Sequence, residues 1–239
     1  MIDDETPDAT LTEADLDGVF PEGFYATTNF QTDVRVDGAW LEVARPEMDV
    51  GVRVVREPSG VRAEACPMHR VKKGDLLVVG DRGVRVRLPP RSSTEGEAFR
   101  FMSSGVSTER PKARLIRDVA LAMKEAHAAK KKVLLVGGPA IVHSGSAPLL
   151  AALIRDGWID VLFAGNALAA HDIEAAMFGT SLGIELSRGE NVPHGHQHHL
   201  RAINRVRRAG SIARAVREGL VTSGVMPACV TKPIPFVLC

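Results

Sequence analysis

Three stretches of this chain hold residue types that could do chemistry. The first, "GGPAIVHSG" (137–145), follows the apolar run "VLLV". Gly137 and Gly138 let the backbone pass close to a ligand, and Ser144 and Ser146 precede a helix whose free N–H groups could face an anion. The G-x-G-x-x-G spacing is absent, so a strand-to-helix turn that needs glycine explains the same residues. The second, "AGNALAAHD" (164–172), puts Asn166 directly after Gly165. An Asn amide both donates and accepts, so it can hold a ribose hydroxyl or a carboxamide, and it serves equally as a helix cap. His171, Asp172 and Glu174 follow at a spacing that is not that of a two-histidine metal motif. The third, "HGHQHHL", packs His194, His196, His198 and His199 together. It invites a metal, a substrate-facing imidazole or a polar loop, and no Cys or nearby carboxylate completes a metal site.

Two further clusters read more plainly. Cys66 and His69 in "EACPMHR" raise a thiol nucleophile, against which stands a buried structural thiol in a strand-like run. Arg201, Arg205, Arg207 and Arg208 form a solvated helix face from which one guanidinium could pair with a carboxylate.

The elements that must position these groups fall into two kinds. From Val19 to Leu88, β-branched residues alternate in "TDVRVDGAWLEV" and "DVGVRVVREPSGVRAEACPM", with Asp-Gly and Pro-Ser-Gly turns. "KKGDLLVVGDRGVRVRLP" reads as another hairpin turning at Gly80–Gly83, and Lys72-Lys73 as a turn. The expectation is a small β-rich subdomain, barrel-like or sandwich-like, over 18–98. It is preceded by a flexible acidic lead-in over 1–17 and closed by the linker-like "PPRSSTEGE" at 89–97.

Beyond the linker the period changes. "RPKARLIRDVALAMKEAHA" places Leu115, Val119, Ala122 and Met123 on one helical face. "VLLVGG" and "WIDVLFAG" read as strands buried on both faces, joined through the helix "APLLAALIRDG" as a βαβ unit. The helix "ALAAHDIEAAMFG", helices over 199–208 and 211–218, and a third strand in "PFVLC" complete a Rossmann-like parallel α/β subdomain over 99–239. In such a sheet ligands bind beyond the carboxyl ends of the strands, where the first two loops lie.

Composition excludes several classes. Of 239 residues 45% are hydrophobic and 25% charged, with 30 basic against 29 acidic groups and a net charge of +1, so no electrostatic footprint for nucleic acid or membrane arises. The three cysteines do not make a disulfide framework, and no apolar run spans a bilayer. The expected compartment is the reducing cytoplasm.

The blocks "PEGFYATTNFQTDVRVDGAWLEV", "FMSSGVSTERPKARLIRDVA", "VGGPAIVHSG", "LFAGNALAAHDIEAAMFGTSLG", "GHQHHLRAINRVRRAGSIARAV" and "SGVMPACVTKPIPFVL" occur in this order. Together, over about residues 18–238, they resemble the NAD-dependent ornithine cyclodeaminase family, once labelled lysine-ketoglutarate reductase/saccharopine dehydrogenase-related. They also resemble the carboxyl-terminal part of bifunctional arginine dihydrolase/ornithine cyclodeaminases. The resemblance implies a β-rich part followed by a Rossmann-like part holding NAD. The implied reaction turns L-ornithine into L-proline and ammonia: a hydride leaves the α-carbon, the δ-amine closes the ring, ammonia departs and the hydride returns. Carried onto this chain, it puts Asn166 and Ala167 beside NAD and Gly137, Gly138 and Pro139 along the pyrophosphate. His143, His198 and His199 are implied near the substrate, with His171 and Asp172 as catalytic candidates and no metal. Family members carry a further domain before the β-rich part and continue past "PFVL". The sheet is therefore expected to be incomplete, and the partner a second copy or a complementing chain. A non-catalytic module, half of a split enzyme and a net saccharopine-type oxidoreductase are the other readings.

Overall fold

The computed structural model describes residues 6–87, 112–181, 184–185 and 195–239. The linker-like stretch at 89–97 and His194 lie outside them. In chain order the first seven strands are β1 (Thr10–Glu13), β2 (Gln31–Val36), β3 (Ala39–Ala44), β4 (Gly51–Glu57), β5 (Gly60–Cys66), β6 (Leu76–Val79) and β7 (Val84–Arg87). There follow α1 (Lys112–Ala128), β8 (Leu134–Gly137), α2 (Ala140–His143), α3 (Ala147–Arg155), β9 (Val161–Ala164) and α4 (Asn166–Phe178). The remainder is β10 (Thr180–Ser181), β11 (Ile184–Glu185), α5 (His198–Ala209), α6 (Ile212–Arg217), α7 (Val225–Thr231) and β12 (Phe236–Leu238). Two compact units result, Met1–Pro89 with Met177–Leu220, and Pro90–Ala176 with Val221–Cys239. The second half of the chain thus lends 177–220 to the β-rich unit, an assignment that no local period encodes. The class is the expected one, a β-rich part and a parallel α/β part.

The β-rich unit is one curled sheet in the order β1-β6-β4-β5-β3-β2-β7. Two hairpins stand where their turn residues put them. Asp37 (φ 51°) and Gly38 (φ 77°) turn β2 into β3, both in the left-handed region that a two-residue hairpin demands. Pro58 and Ser59 join β4 to β5, whose registry runs from Gly51↔Cys66 to Glu57↔Gly60. The expected hairpin across Gly80–Gly83 is not formed. Both edges of β6 are taken, by β1 and β4, so β7 pairs with β2 instead. The lead-in is likewise ordered from Thr10: β1 pairs with β6, and Ala14 is buried. The carboxylates of Asp8, Glu13, Asp15 and Asp17 stay in solvent while the backbone joins the ladder, so acidic composition and strand structure coexist. Ala9 N–H donates to Arg35 O, which brings the start of β1 to β2 and curls the sheet towards closure.

Inside lie Val34, Val43, Val52, Val54, Ala63 and Val78, the inward-facing alternates of their strands. A second cluster joins Phe20 and Phe24, with ring centroids 4.6 Å apart, to Leu77 and to Leu200 of α5. Asn204 of α5 fastens this contact: its Oδ1 accepts from Phe20 N–H at 2.8 Å and its Nδ2 donates to Phe20 O at 3.0 Å.

The α/β unit is a three-stranded parallel sheet in the order β12-β9-β8. Leu162 and Ala164 of β9 face a core with Leu150, Ala151 and Ile154 of α3, Leu168 of α4, and Val225, Ala228 and Cys229 of α7. The prediction that these strands are buried on both faces fails on one side, where Leu134, Val136, Phe163 and Val237 are exposed. The stripe expected to bury α1 fares similarly: Leu115 and Val119 are exposed, and Met123 packs on the core. Among the described residues no helix is long and apolar enough to cross a membrane.

Candidate functional site

The carboxyl ends of β8 and β9 carry most of the sequence candidates. Gly137 ends β8, and a Cβ there would sit 2.9 Å from Ile141 Cδ1 and 3.1 Å from Leu168 Cδ1. Glycine at 137 lets the ends of the Ile141 and Leu168 side chains pack against the backbone, and a Cβ there would push them aside. Gly138 differs: a Cβ there meets nothing within 4 Å, so its backbone borders open space. Pro139 caps α2 from the helical region (φ −62°). Across the sheet Gly165 is equally open, and Asn166 is the first residue of α4. Asn166 N–H donates to Cys239 O at 3.0 Å, which ties this loop to the end of β12. The Asn166 side chain is exposed and makes no hydrogen bond among the described residues, so it does not act as a cap. Open backbone at Gly138 and the exposed amide of Asn166 both lie at strand carboxyl ends, the place where a parallel sheet receives a ligand.

Next to these loops the fold buries titratable groups. His171 and Glu174, one turn apart on α4, are both buried, with His171 Nδ1 2.9 Å from Glu174 Oε2. If the Glu174 carboxyl is ionised it can only accept, which would put the imidazole proton on Nδ1 and leave Nε2 without one. The ring of His143, at the end of α2, lies 4.9 Å from that of His171. Burial, and then the neighbouring His171, hold His143 below the ordinary imidazole range.

Asp172 points elsewhere. Its Oδ1 and Oδ2 accept from Val225 N–H and Met226 N–H, each at 2.8 Å, closing the start of α7. Burial pushes the carboxyl up and these two donors pull against it. Gly224 (φ 111°) makes the fit possible, since a Cβ there would meet Asp172 Oδ1 at 2.5 Å. Asp172 is thus a tether between α4 and α7. The Gly in "SGVMPACV" was the available signal, legible only once its partner is known.

His198 and His199 belong to the β-rich unit. His198 Nδ1 lies 2.8 Å from Thr180 Oγ1, and its ring stacks on Phe178 with centroids 4.8 Å apart. His199 Nε2 is 3.6 Å from Asp49 Oδ2. Arg207 and Arg208 anchor α5 to Gly18 O and Asp15, and are not free for a substrate. Cys66 is buried and burial pushes its thiol up, the state of a structural thiol. Among the described residues no three His, Cys, Asp or Glu side chains gather as a metal site would need.

With this geometry the likeness to known proteins can be placed. The family model for the arginine dihydrolase ArgZ-like C-terminal Rossmann fold matches residues 117–239, and that for the ArgZ-like C-terminal first region matches 31–116. The chain belongs to the ArgZ-like C-terminal family. An ornithine cyclodeaminase of Methanothermobacter thermautotrophicus is 49% identical to this ArgZ-like chain, over 98% of the chain and 56% of the relative. The bifunctional arginine dihydrolase/ornithine cyclodeaminase AgrE of Nostoc is 40% identical over 97% of the chain and 33% of AgrE. A crystal structure of AgrE in ternary complex with ornithine and NAD+ matches with a TM-score of 0.84 at 38% identity, over 98% of the chain and 32% of AgrE. The resemblance carried by the sequence blocks is thereby confirmed. The chain spans about half the length of the curated ornithine cyclodeaminases it matches.

Proposed function

We propose that this chain contributes the cofactor half and the proton-transfer group of an NAD-linked ornithine cyclodeaminase that forms L-proline and ammonia. The observation that carries the reading is the half-buried His143 beside the buried His171–Glu174 pair, together with open backbone at Gly138 and the exposed amide of Asn166. The ornithine and NAD+ bound by AgrE supply the ligand classes.

In this reading Gly138 and Pro139 line the pyrophosphate, and Asn166 and Ala167 hold a ribose hydroxyl or the carboxamide. The chemistry that bound NAD+ would supply there is reversible hydride exchange with the substrate α-carbon. His171 Nε2 takes the proton that leaves the substrate α-ammonium, and Glu174 keeps the opposite nitrogen protonated. His143 takes substrate handling rather than His198 or His199, which are already engaged by Thr180, Phe178 and Asp49. Asp172 acts on the helix start and not on the substrate.

The test is an isotope experiment on the chain, alone and together with the remainder of a full-length relative. Ornithine deuterated at the α-carbon, with NAD+ well below stoichiometric, is expected to yield proline that keeps the deuterium, with equimolar ammonia. Stoichiometric change in NADH would move the protein to the net oxidoreductases. Folded protein that binds no NAD+ and makes no proline in either setting would remove the reading.

A further inference from the structure

The β-rich unit holds a cleft of about 420 Å³ bordered by β4, β5 and the turn before β6. Sites for small molecules run from roughly 300 to 1,000 Å³, so the opening suits a compact ligand. Arg53, Arg56 and Arg62 line it together with Gly74 and Asp75. β6 pairs with β4 only at Arg53 and Val54, so Val55 and Arg56 border the opening instead of that strand. Gly74 (φ 91°) turns the chain here, and a Cβ on it would meet nothing within 4 Å.

The charges around the cleft lie at two depths. Glu64, only 1% exposed, accepts on Oε1 from Arg53 Nε and Nη2, and on Oε2 from Arg45 and Arg62. Asp75 Oδ2 accepts from Arg53 Nη1 at 2.9 Å and from Lys72 N–H at 2.8 Å. Three guanidiniums thus meet two inner carboxylates, which leaves one positive charge in excess. Exposed groups complete the balance. Glu57, 45% exposed, reaches Arg62 at 3.2 Å. Asp37, 55% exposed, pairs with Arg56, itself 47% exposed. Solvent screens pairs this open and they hold their partners weakly, so an arriving anion can replace them. The guanidinium fork matches the paired oxygens of a phosphate or a carboxylate.

We propose that this cleft binds a small polyanion whose phosphate or carboxylate oxygens are taken by Arg56 and Arg62. Glu57 and Asp37 hold those two guanidiniums in its absence. Every residue of the site belongs to the β-rich unit, so the proposal does not rest on the NAD-linked reading of the Gly138 and Asn166 loops.

The experiment titrates the isotope-labelled 239-residue chain at fixed ionic strength, with pyrophosphate in one arm and citrate in the other, and follows backbone amides by NMR. Saturable shifts are expected at Val55, Arg56 and Gly74, and a response to one probe alone assigns the phosphoryl or the carboxylate class. Arg56→Gln leaves every partner of Glu64 in place and should weaken binding at least tenfold. Glu57→Gln removes a competing carboxylate and should tighten binding about threefold, a gain that a merely structural cluster would not give. Arg82→Gln, at an exposed arginine in the turn after β6, should leave the affinity unchanged. Amides at Val55, Arg56 and Gly74 that respond to neither probe would overturn the proposal. So would equal weakening by Arg56→Gln and Arg82→Gln, the mark of general attraction for anions, or the lack of any gain from Glu57→Gln.

Discussion

The two units handle buried charge and open edges in opposite ways. In the β-rich unit each buried carboxylate is matched by guanidinium. Glu64 meets Arg53, Arg62 and Arg45, and Asp33 meets Arg85 and Arg87. Burial pushes both carboxyls up, but the arginines outweigh it and leave them below the usual range. The sheet curls until its ends meet. In the α/β unit the buried polar side chains include the His171–Glu174 pair and Asp172, whose carboxylate accepts from the backbone N–H groups of Val225 and Met226, and the sheet is covered on one side. The first arrangement is complete as a scaffold. The second leaves one face of its three strands exposed.

The largest effects should come from the cores, and the two faces of β9 give the cleanest contrast. Leu162→Ala should cost about 2–5 kcal/mol by denaturant titration, since Leu162 is fully buried. Phe163→Ala, one residue along, should stay within roughly 0.5 kcal/mol in the chain alone, as an exposed position does. Equal costs would show that the bare face is covered within the chain.

Asp172→Ala strips the acceptors from two buried N–H groups and should cost about 1–3 kcal/mol. If it also abolished turnover in protein that is still folded, Asp172 would be catalytic after all.

The adjacent glycines separate packing from ligand contact. Gly137→Ala should destabilise by about 1 kcal/mol, because its Cβ must push aside the side-chain ends of Ile141 and Leu168. Gly138→Val should leave the melting temperature nearly unchanged but weaken NAD+ at least tenfold, about 1.4 kcal/mol, by calorimetry on the assembled protein. The reverse pattern would put the cofactor elsewhere.

The smallest effect is a pH slope. His143 is depressed in the folded state, so between its folded value and about 6.5 the unfolded chain binds more protons. Stability should therefore fall as pH drops below about 6.5, and His143→Gln should flatten that slope. The carboxylates of the β-rich unit give up their contribution only at lower pH, below the ordinary carboxylate range, so the two units titrate in separate windows. An unchanged slope in the variant would remove His143 from the proton-accepting group.

Much of this was legible in the chain itself. Alternation and turn residues located β2 to β5, because hairpins are local and Asp37-Gly38 can do little else. The apolar runs located β8 and β9, and the long blocks carried the family. The pairing of β7 was not legible, since a strand goes where an edge is free, and β6 had none. His171 and Glu174 were in view at a spacing of one helical turn, but their partnership becomes chemistry only when α2 brings His143 beside them.

The residue order by itself determined the class, the two βα loops and the family, because each rests on local period or on contiguous motif. The tertiary structure alone decided that 177–220 belongs to the β-rich unit, that Asp172 ties α4 to α7, and that one face of the parallel sheet is bare. Those outcomes depend on which distant surfaces compete for the same edge or donor, and that competition is settled only when the chain is folded.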